Sequence, residues 1–281
     1  MSQVVIKGIV RDSVSKEGIP YVNIISLSNE AATYTNEKGL FELKTKKTSA
    51  DTIKVSSIGY KPLYICTASF SHKDTIFMEI KLKEMAFDLN EITVTKRINT
   101  KKEIHKLGFY DAKKKYAQTI ATVGCQYSLY IPNTLGEEGI IEKIKVKFIK
   151  LPKLPDACTY VDIRIRVYAP DKTGSPGEDL LRDNILISPI SGGYIINIRK
   201  HNIIFPLEGV FIGVEWVDTN NRTQGKSKTV GPGLKWAYDN IEQFQTWANF
   251  KGKWSRHKLR FSLDGYKKYY SAMIGIDVST F

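Results

Sequence analysis

The sequence is poor in the residue types and motifs on which most enzyme active sites depend. It has only four histidines and three cysteines in 281 residues. None of the histidines begins an H-x-x-E or H-E-x-x-H pattern, as in zinc peptidases, and no C-x-x-C pair suggests a zinc site. A G-x-S-x-G nucleophile motif and a G-x-x-x-x-G-K-[ST] phosphate loop are also missing. We therefore predict no enzymatic activity, no catalytic residues, no metal site and no cofactor.

Long apolar runs are missing as well. No stretch approaches the roughly 18 apolar residues of a transmembrane helix, so we predict no transmembrane segment. The composition, 42% hydrophobic and 25% charged, is that of ordinary globular proteins. The first ten residues alternate like a strand and do not resemble a signal peptide. Two explanations stay open: a cytoplasmic protein, or one whose signal peptide precedes Met1.

The few cysteines do not indicate a disulfide framework, because their number is odd. Cys66, in the strand-like LYICTA, is predicted to be a small buried residue. A bridge between Cys125 and Cys158 is possible only if the protein is extracytoplasmic and the two residues meet in the fold. Whether they are bridged stays open.

Acidic residues are in the minority, and the net charge is +13. Residues 1–97 have 14 basic and 11 acidic residues, so the excess lies mainly in the remainder. A basic surface can attract glycans, nucleic acids or membranes, but a solvated lysine-rich face is the simpler interpretation. Because the cations alternate along strands and no nucleic-acid-binding motif is present, we predict no nucleic-acid partner. Glu178, Asp179 and Asp183 lack the spacing of a calcium loop, which favours a solvated turn.

Alternation of apolar and polar residues is the main signal that is present. In IEKIKVKFIK (141–150), apolar residues alternate with Lys143, Lys145 and Lys147, and VDIRIRVYA (161–169) repeats the pattern with arginines. Short strands separated by turns are typical of β-sandwiches. From about residue 127, about ten such strands predict a jelly-roll-like sandwich.

The N-terminal third has four motifs in order. They are the GIP turn at residues 18–20, TNEKGLF at 35–41, SSIGY at 56–60 and LNEITV at 89–94. Together they resemble the carboxypeptidase regulatory-like domain of Bacteroidetes outer-membrane and surface proteins, over about residues 3–96. The resemblance implies a seven-stranded transthyretin-like or Ig-like sandwich that is an accessory to peptidases and not their catalytic part.

We therefore predict an all-β chain of two sandwiches. The first covers residues 1–96, a lysine-rich linker covers 97–126, and the jelly-roll-like sandwich covers 127–281. The resemblance also implies a place in the cell envelope, in the periplasm or at the cell surface, reached through a signal peptide that this sequence does not contain. The alternative is the cytoplasm.

The tryptophans give the one indication of a ligand site. All four lie in the second predicted domain. Trp216 has the parity of the apolar Ile212 and Val214, which predicts a core position. An exposed indole can stack on the apolar face of a sugar ring, because tryptophan combines a flat apolar body with a polar N–H. The candidate ligand-binding residues are Trp236, Trp247 and Trp254.

The main hypothesis is a non-catalytic binding or scaffolding protein of the cell envelope, with a glycan or an envelope protein as its partner. A glycan would bind through the C-terminal sandwich. One alternative is an assembly module that docks onto a larger outer-membrane complex and binds no small ligand. Another is an unrecognised hydrolase, which would need a deep cleft that collects carboxylates or histidines. The oligomeric state stays open.

Overall fold

The protein is all-β, as predicted. The computed structural model describes residues 3–29, 31–46, 51–68, 74–85, 103–111, 115–116, 122–151, 161–217, 230–239, 245–250, 252–257, 260–263 and 266–280. No α-helix occurs in these ranges, and helical turns are limited to short 3-10 segments such as Arg199–His201.

The N-terminal residues form two sheets that pack around a single apolar core. Their strands are β1 Gln3–Asp12, β2 Asn23–Ser26, β3 Ala32–Tyr34, β4 Leu40–Lys46, β5 Thr52–Ser56, β6 Leu63–Cys66 and β7 Thr75–Leu82. One sheet has the order β4-β1-β7 and the other β3-β2-β5-β6. The predicted sandwich is confirmed. The LNEITV motif, which the family resemblance makes its last strand, lies outside the described residues, so the predicted count of seven strands is not tested.

The TNEKGLF motif has a steric role in this sandwich. Gly39 has φ of +77°, and a Cβ there would stand 2.5 Å from the carbonyl oxygen of Val10. Only glycine satisfies both conditions without strain. Phe41, two residues later, is buried in the core, so the motif places a tight turn and a core aromatic side by side.

The rest of the chain forms a second, larger sandwich. Its strands are β8 Glu103–Gly108, β9 Lys115–Tyr116, β10 Gln126–Ile131, β11 Gly139–Ile149, β12 Asp162–Pro170, β13 Pro176–Asp179, β14 Ile185–Ile187, β15 Gly192–Asn197, β16 Ile204–Phe205, β17 Val210–Val217, β18 Gly233–Leu234, β19 Trp236–Asp239, β20 Thr246–Phe250, β21 Lys253–Arg256, β22 Arg260–Leu263, β23 Tyr266–Ala272 and β24 Ile274–Thr280.

Two sheets of this sandwich matter for the site. The arginine sheet, named for β12, has the order β13-β12-β17-β10-β20-β21, with β14 beside β12. The lysine sheet, named for β11, has the order β15-β11-β24-β8, with β16 and β18 beside β11. A third sheet has the order β22-β23-β19-β9. One apolar core unites residues from all three sheets.

Two details differ from the sequence-based expectations. The predicted linker contains β8, which pairs along its whole length with the C-terminal strand β24, so this part of it is built into the lysine sheet. The domain boundaries themselves stay a prediction, because residues 86–102 lie outside the described residues. Cys66 is exposed and not buried, since β6 pairs only with β5 among the described strands.

Cys125 is a buried free thiol, and Cys158 lies outside the described residues. Burial raises the pKa of Cys125 to about 12. The thiol therefore stays protonated at neutral pH and is a poor nucleophile, which is typical of a packing residue.

Candidate functional site

The structure separates the four tryptophans into two pairs. Trp216 is fully buried, as predicted, and its Nε1 donates a hydrogen bond to the carbonyl oxygen of Pro232 at 2.7 Å. Trp236 is 2% exposed and lies in the same core, with ring contacts to Tyr127 at 5.6 Å and to His257 at 5.2 Å between centroids. Its indole is therefore enclosed by the core, and we leave Trp236 out of the proposed site.

Trp247 and Trp254 lie together on the outer face of the β20–β21 hairpin. In this hairpin Trp247 is opposite Arg256, and Asn249 is opposite Trp254. Opposite residues of an antiparallel pair project to the same side, as do residues two apart on one strand. These four side chains consequently share one face, which we call the tryptophan face.

Each tryptophan of this face contacts a buried aromatic residue on the same face of the arginine sheet. Trp247 makes an edge-to-face contact with Phe211, with ring centroids 6.1 Å apart, and Trp254 makes one with Tyr168 at 5.5 Å. Such contacts fix the orientation of a ring. Both tryptophans are half-buried, so part of each indole is supported and part reaches solvent.

Hydrogen-bonding groups accompany the indoles. The Nε of Arg256 donates to the Oε1 of Gln245 at 2.8 Å, which fixes the guanidinium beside Trp247. The Nε1 of Trp247 is buried and has no hydrogen-bond partner among the described residues. Flat apolar surfaces next to planar amide and guanidinium groups can both stack on a ring and bond its polar substituents.

Tyr168 reaches this position because it crosses a glycine. A Cβ on Gly213 would stand 3.0 Å from the Cε2 of Tyr168 and 3.2 Å from the Cβ of Arg166. Without a side chain at Gly213, the ring passes over β17, and its hydroxyl donates to the Oε1 of Gln126 on β10 at 2.6 Å. The glycine therefore determines where the support for Trp254 lies.

Beside the aromatic residues, the arginine sheet has a buried charge network. The Nε of Arg164 lies 3.0 Å from the Oε2 of Glu215, and both side chains are 1% exposed. The Nε of Arg166 lies 2.6 Å from the Oδ2 of Asp179, and its Nη1 lies 3.5 Å from Glu215. The expectation of a solvated turn is thus wrong for Asp179, because Arg166 holds its carboxylate inside.

The N-terminal sandwich completes the network. The hydroxyl of Tyr34 donates to the Oε1 of Glu215 at 3.0 Å, and the Nη1 of Arg164 donates to the carbonyl oxygen of Tyr21 at 2.9 Å. Burial, together with the charge of Glu215, raises the pKa of Tyr34 well above its usual range. The phenol therefore remains a donor at any physiological pH.

The two sandwiches also meet at the tip of the hairpin. A Cβ on Gly252, between β20 and β21, would stand 3.9 Å from the Nζ of Lys54 on β5. In the β2–β5 pair Ile25 lies opposite Lys54, and Ile25 is buried. The outer face of the N-terminal sheet thus packs toward the arginine sheet next to the tryptophan face.

Sequence reasoning missed this junction. The residues that form it are Tyr21, Tyr34, Arg164, Arg166, Asp179 and Glu215. One signal was present: Glu215 is the only charged residue in VFIGVEWV, a strand that is buried along its whole length. A lone carboxylate in such a strand requires a buried cation, and the arginines of β12 are adjacent in the sheet.

Other features of the described residues give no sign of catalysis. No three His, Cys, Asp or Glu side chains within the described ranges converge as metal ligands would. An open depression of about 500 Å³ on the β4-β1-β7 sheet has apolar walls, including Phe77, Leu40 and Ile9, with Lys7 and Glu79 at its margin. It lacks the collected carboxylates or histidines that the hydrolase alternative needs.

In the part of the chain that the structure describes, no helix is both long and apolar enough to cross a bilayer.

Comparison with known proteins assigns the N-terminal sandwich. Residues 6–94 match the model of the CarboxypepD_reg-like domain family, which confirms the resemblance indicated by the four motifs. This match covers about a third of the chain and leaves the tryptophan face outside it. A comparison with curated proteins finds no match.

Solved structures resemble the chain only distantly. A DUF3823 family protein from Parabacteroides merdae is 8% identical with a TM-score of 0.22, and 96% of each chain is covered. A candidate carbohydrate-binding protein from Bacteroides uniformis is 8% identical with a TM-score of 0.24, covering 98% of this chain and 99% of the other. The major pilin SpaD of Corynebacterium diphtheriae is 8% identical with a TM-score of 0.24, covering 99% and 81%. Scores this low carry no argument about function.

Proposed function

We propose that this chain, whose residues 6–94 match the CarboxypepD_reg-like domain, is a non-catalytic binding protein of the cell envelope. It holds a glycan on the tryptophan face of its C-terminal sandwich. The observation that carries the proposal is that Trp247 and Trp254 share one face with Arg256, whose guanidinium is hydrogen-bonded to Gln245. The envelope location rests on the family match alone.

The chemistry of the face suits a sugar. Pyranose rings have apolar faces that match an indole, and hydroxyl groups around their edge that bond to amides and guanidinium groups. Because Phe211 and Tyr168 already hold the two indoles in place, little side-chain freedom is lost on binding. Preorganisation of this kind raises affinity without adding contacts.

The N-terminal sandwich supports the site mechanically in this proposal. Its contacts to Glu215 and Arg164 hold the sheet from which Tyr168 projects. Sites built on rigid strands keep a more constant geometry than sites on loops. The N-terminal sandwich thus stabilises the strands that form the binding site.

Calorimetry with a panel of oligosaccharides tests the proposal, with tryptophan fluorescence as a second readout. Trp247→Ala and Trp254→Ala should each weaken binding about tenfold, because a lost aromatic contact of about 1.4 kcal/mol corresponds to a factor of ten in Kd. Phe77→Ala is the matched control. Phe77 is 78% exposed on the β4-β1-β7 sheet of the N-terminal sandwich, so this substitution should leave binding unchanged. No heat with any sugar, or an equal loss in the control, would contradict the proposal.

A second candidate function has an observation of its own. Phe77 and Leu40 are exposed on the β4-β1-β7 sheet beside the apolar depression, and exposed apolar patches mark protein contacts. This favours an assembly module that docks onto an outer-membrane complex. In that case Phe77→Ala abolishes capture of a defined envelope protein, whereas Trp254→Ala does not.

A further inference from the structure

We propose that the glycan is acidic, with carboxylate or sulfate groups, and that Lys54 of the N-terminal sandwich supplies one of the cations that bind it. This inference rests on the proposed function and identifies the ligand class for the same site. It follows from two cations: Arg256 lies on the tryptophan face itself, and the N-terminal sandwich places Lys54 at the tip of the same hairpin.

The position of Lys54 is set by the sheet. It lies directly opposite Tyr64 in the β5–β6 pair, so both side chains project from the same face. Its Nζ lies 6.0 Å from the centre of the Tyr64 ring, and Tyr64 is 56% exposed. The same Nζ borders Gly252 at the tip of the hairpin. An aromatic residue and a cation of the N-terminal sandwich therefore adjoin the strand that bears Trp254.

The other cation belongs to β21 itself. Arg256 is exposed and lies two residues from Trp254, so both side chains share the tryptophan face, whereas the side chain of Lys253 projects to the other face. Gln245 accepts the Nε–H of Arg256, and the guanidinium has further N–H donors for a ligand. A carboxylate or sulfate on a sugar stacked at Trp254 lies within reach of such donors.

The charge balance favours an anion. Neither Lys54 nor Arg256 forms an ion pair with a carboxylate of a described residue, in contrast to Lys7 and Arg166. Glu215 and Asp179, two carboxylates of the arginine sheet, are already paired with arginines. Lys54 and Arg256 can therefore bind an anion, and charge-assisted hydrogen bonds to an anion are stronger than those to neutral hydroxyls.

Calorimetry with three oligosaccharides of matched length tests this inference: an oligogalacturonate, a sulfated heparin fragment and a neutral galacto-oligosaccharide. At low salt, at least one acidic sugar should bind about tenfold more tightly than the neutral one. Lys54→Ala should weaken binding of that sugar about threefold to tenfold, by loss of a charge-assisted contact. Lys81→Ala, which removes the same charge from an exposed position on β7, should leave it unchanged.

The outcomes distinguish failure of the acidic ligand from failure of glycan binding as such. Equal affinity for the acidic and neutral sugars overturns the acidic ligand and leaves the proposed glycan function standing. Binding of no sugar overturns both. An equal effect of Lys54→Ala and Lys81→Ala overturns the role of the N-terminal sandwich, because it shows that only net charge matters.

Discussion

The arginine sheet and the lysine sheet have the same alternating pattern in sequence but different surroundings in the structure. On β12, Arg164 and Arg166 point away from the apolar core and are nevertheless buried and paired with carboxylates. On β11, Lys143 is exposed, Lys145 forms a largely buried ion pair with Asp277, and Lys147 pairs at 3.6 Å with Asp111, which is 83% exposed. The N-terminal sandwich covers the polar face of the arginine sheet, whereas the polar face of the lysine sheet is only partly buried.

The choice of cation agrees with this difference. Arginine is weakly hydrated and has a planar set of donors, so it can be buried against carboxylates, whereas lysine is strongly hydrated and favours solvent. Both sheets also lay a tyrosine across glycines. Tyr168 crosses Gly213, and Tyr110 crosses Gly275 and Gly193 with the Nζ of Lys147 at 4.1 Å from its ring centre. The two outer faces therefore share a tyrosine that crosses a glycine, but they differ in the type of cation that they carry.

The largest predicted effect concerns Glu215. Glu215→Ala should lower the free energy of unfolding by about 3–5 kcal/mol, because it leaves Arg164 buried without its carboxylate. The matched change on the lysine sheet, Asp111→Ala, should alter it by no more than about 0.5 kcal/mol, as for most exposed positions. Denaturant unfolding followed by fluorescence measures both. Similar losses of unfolding free energy in the two variants would show that the polar faces of the arginine and lysine sheets do not differ in burial.

The junction between the sandwiches is the next test. Tyr34→Phe removes the hydroxyl that donates to Glu215 and should cost about 1–3 kcal/mol, since a buried acceptor loses its donor. Tyr64→Phe removes an exposed hydroxyl of the same sandwich and should be nearly neutral. Equal and negligible changes in thermal unfolding would mean that the Tyr34 contact does not stabilise the junction.

The smallest effect is a pH dependence from His257. Burial lowers its pKa, so the folded state resists protonation while the unfolded state protonates with a pKa of about 6.5. The free energy of unfolding should therefore fall as the pH drops through that value, because the unfolded state then binds more protons. His257→Gln should flatten this slope. The same slope in both proteins would assign it to other groups.

Sequence patterns predicted the strands, the N-terminal family and the core position of Trp216, because each depends on local alternation or on a short motif. They did not predict which polar face would be covered. The partners of Arg164 and Glu215 in the N-terminal sandwich, Tyr21 and Tyr34, are 143 and 181 residues away. The burial of Trp236 was not predictable either, because the alternation within its four-residue strand β19 does not indicate which face is buried until the neighbouring strands are known.

Of the predicted ligand-binding tryptophans, Trp247 and Trp254 are brought together by the hairpin and Trp236 is set apart. Hairpin register depends on the turn at Gly252, which has φ of +79°. The sequence alone does not determine the register that pairs Trp247 with Arg256. The pairing of aromatic and cationic side chains on one face is thus a finding of the structure.

The most direct test is a titration of isotopically labelled protein with the oligosaccharide of highest affinity, observed through the four indole N–H resonances. The signals of Trp247 and Trp254 should shift, because their side chains form the binding face, and those of Trp216 and Trp236, inside the core, should stay unchanged. Unchanged signals for Trp247 and Trp254 under saturating sugar would contradict the proposed site, as would equal shifts of all four.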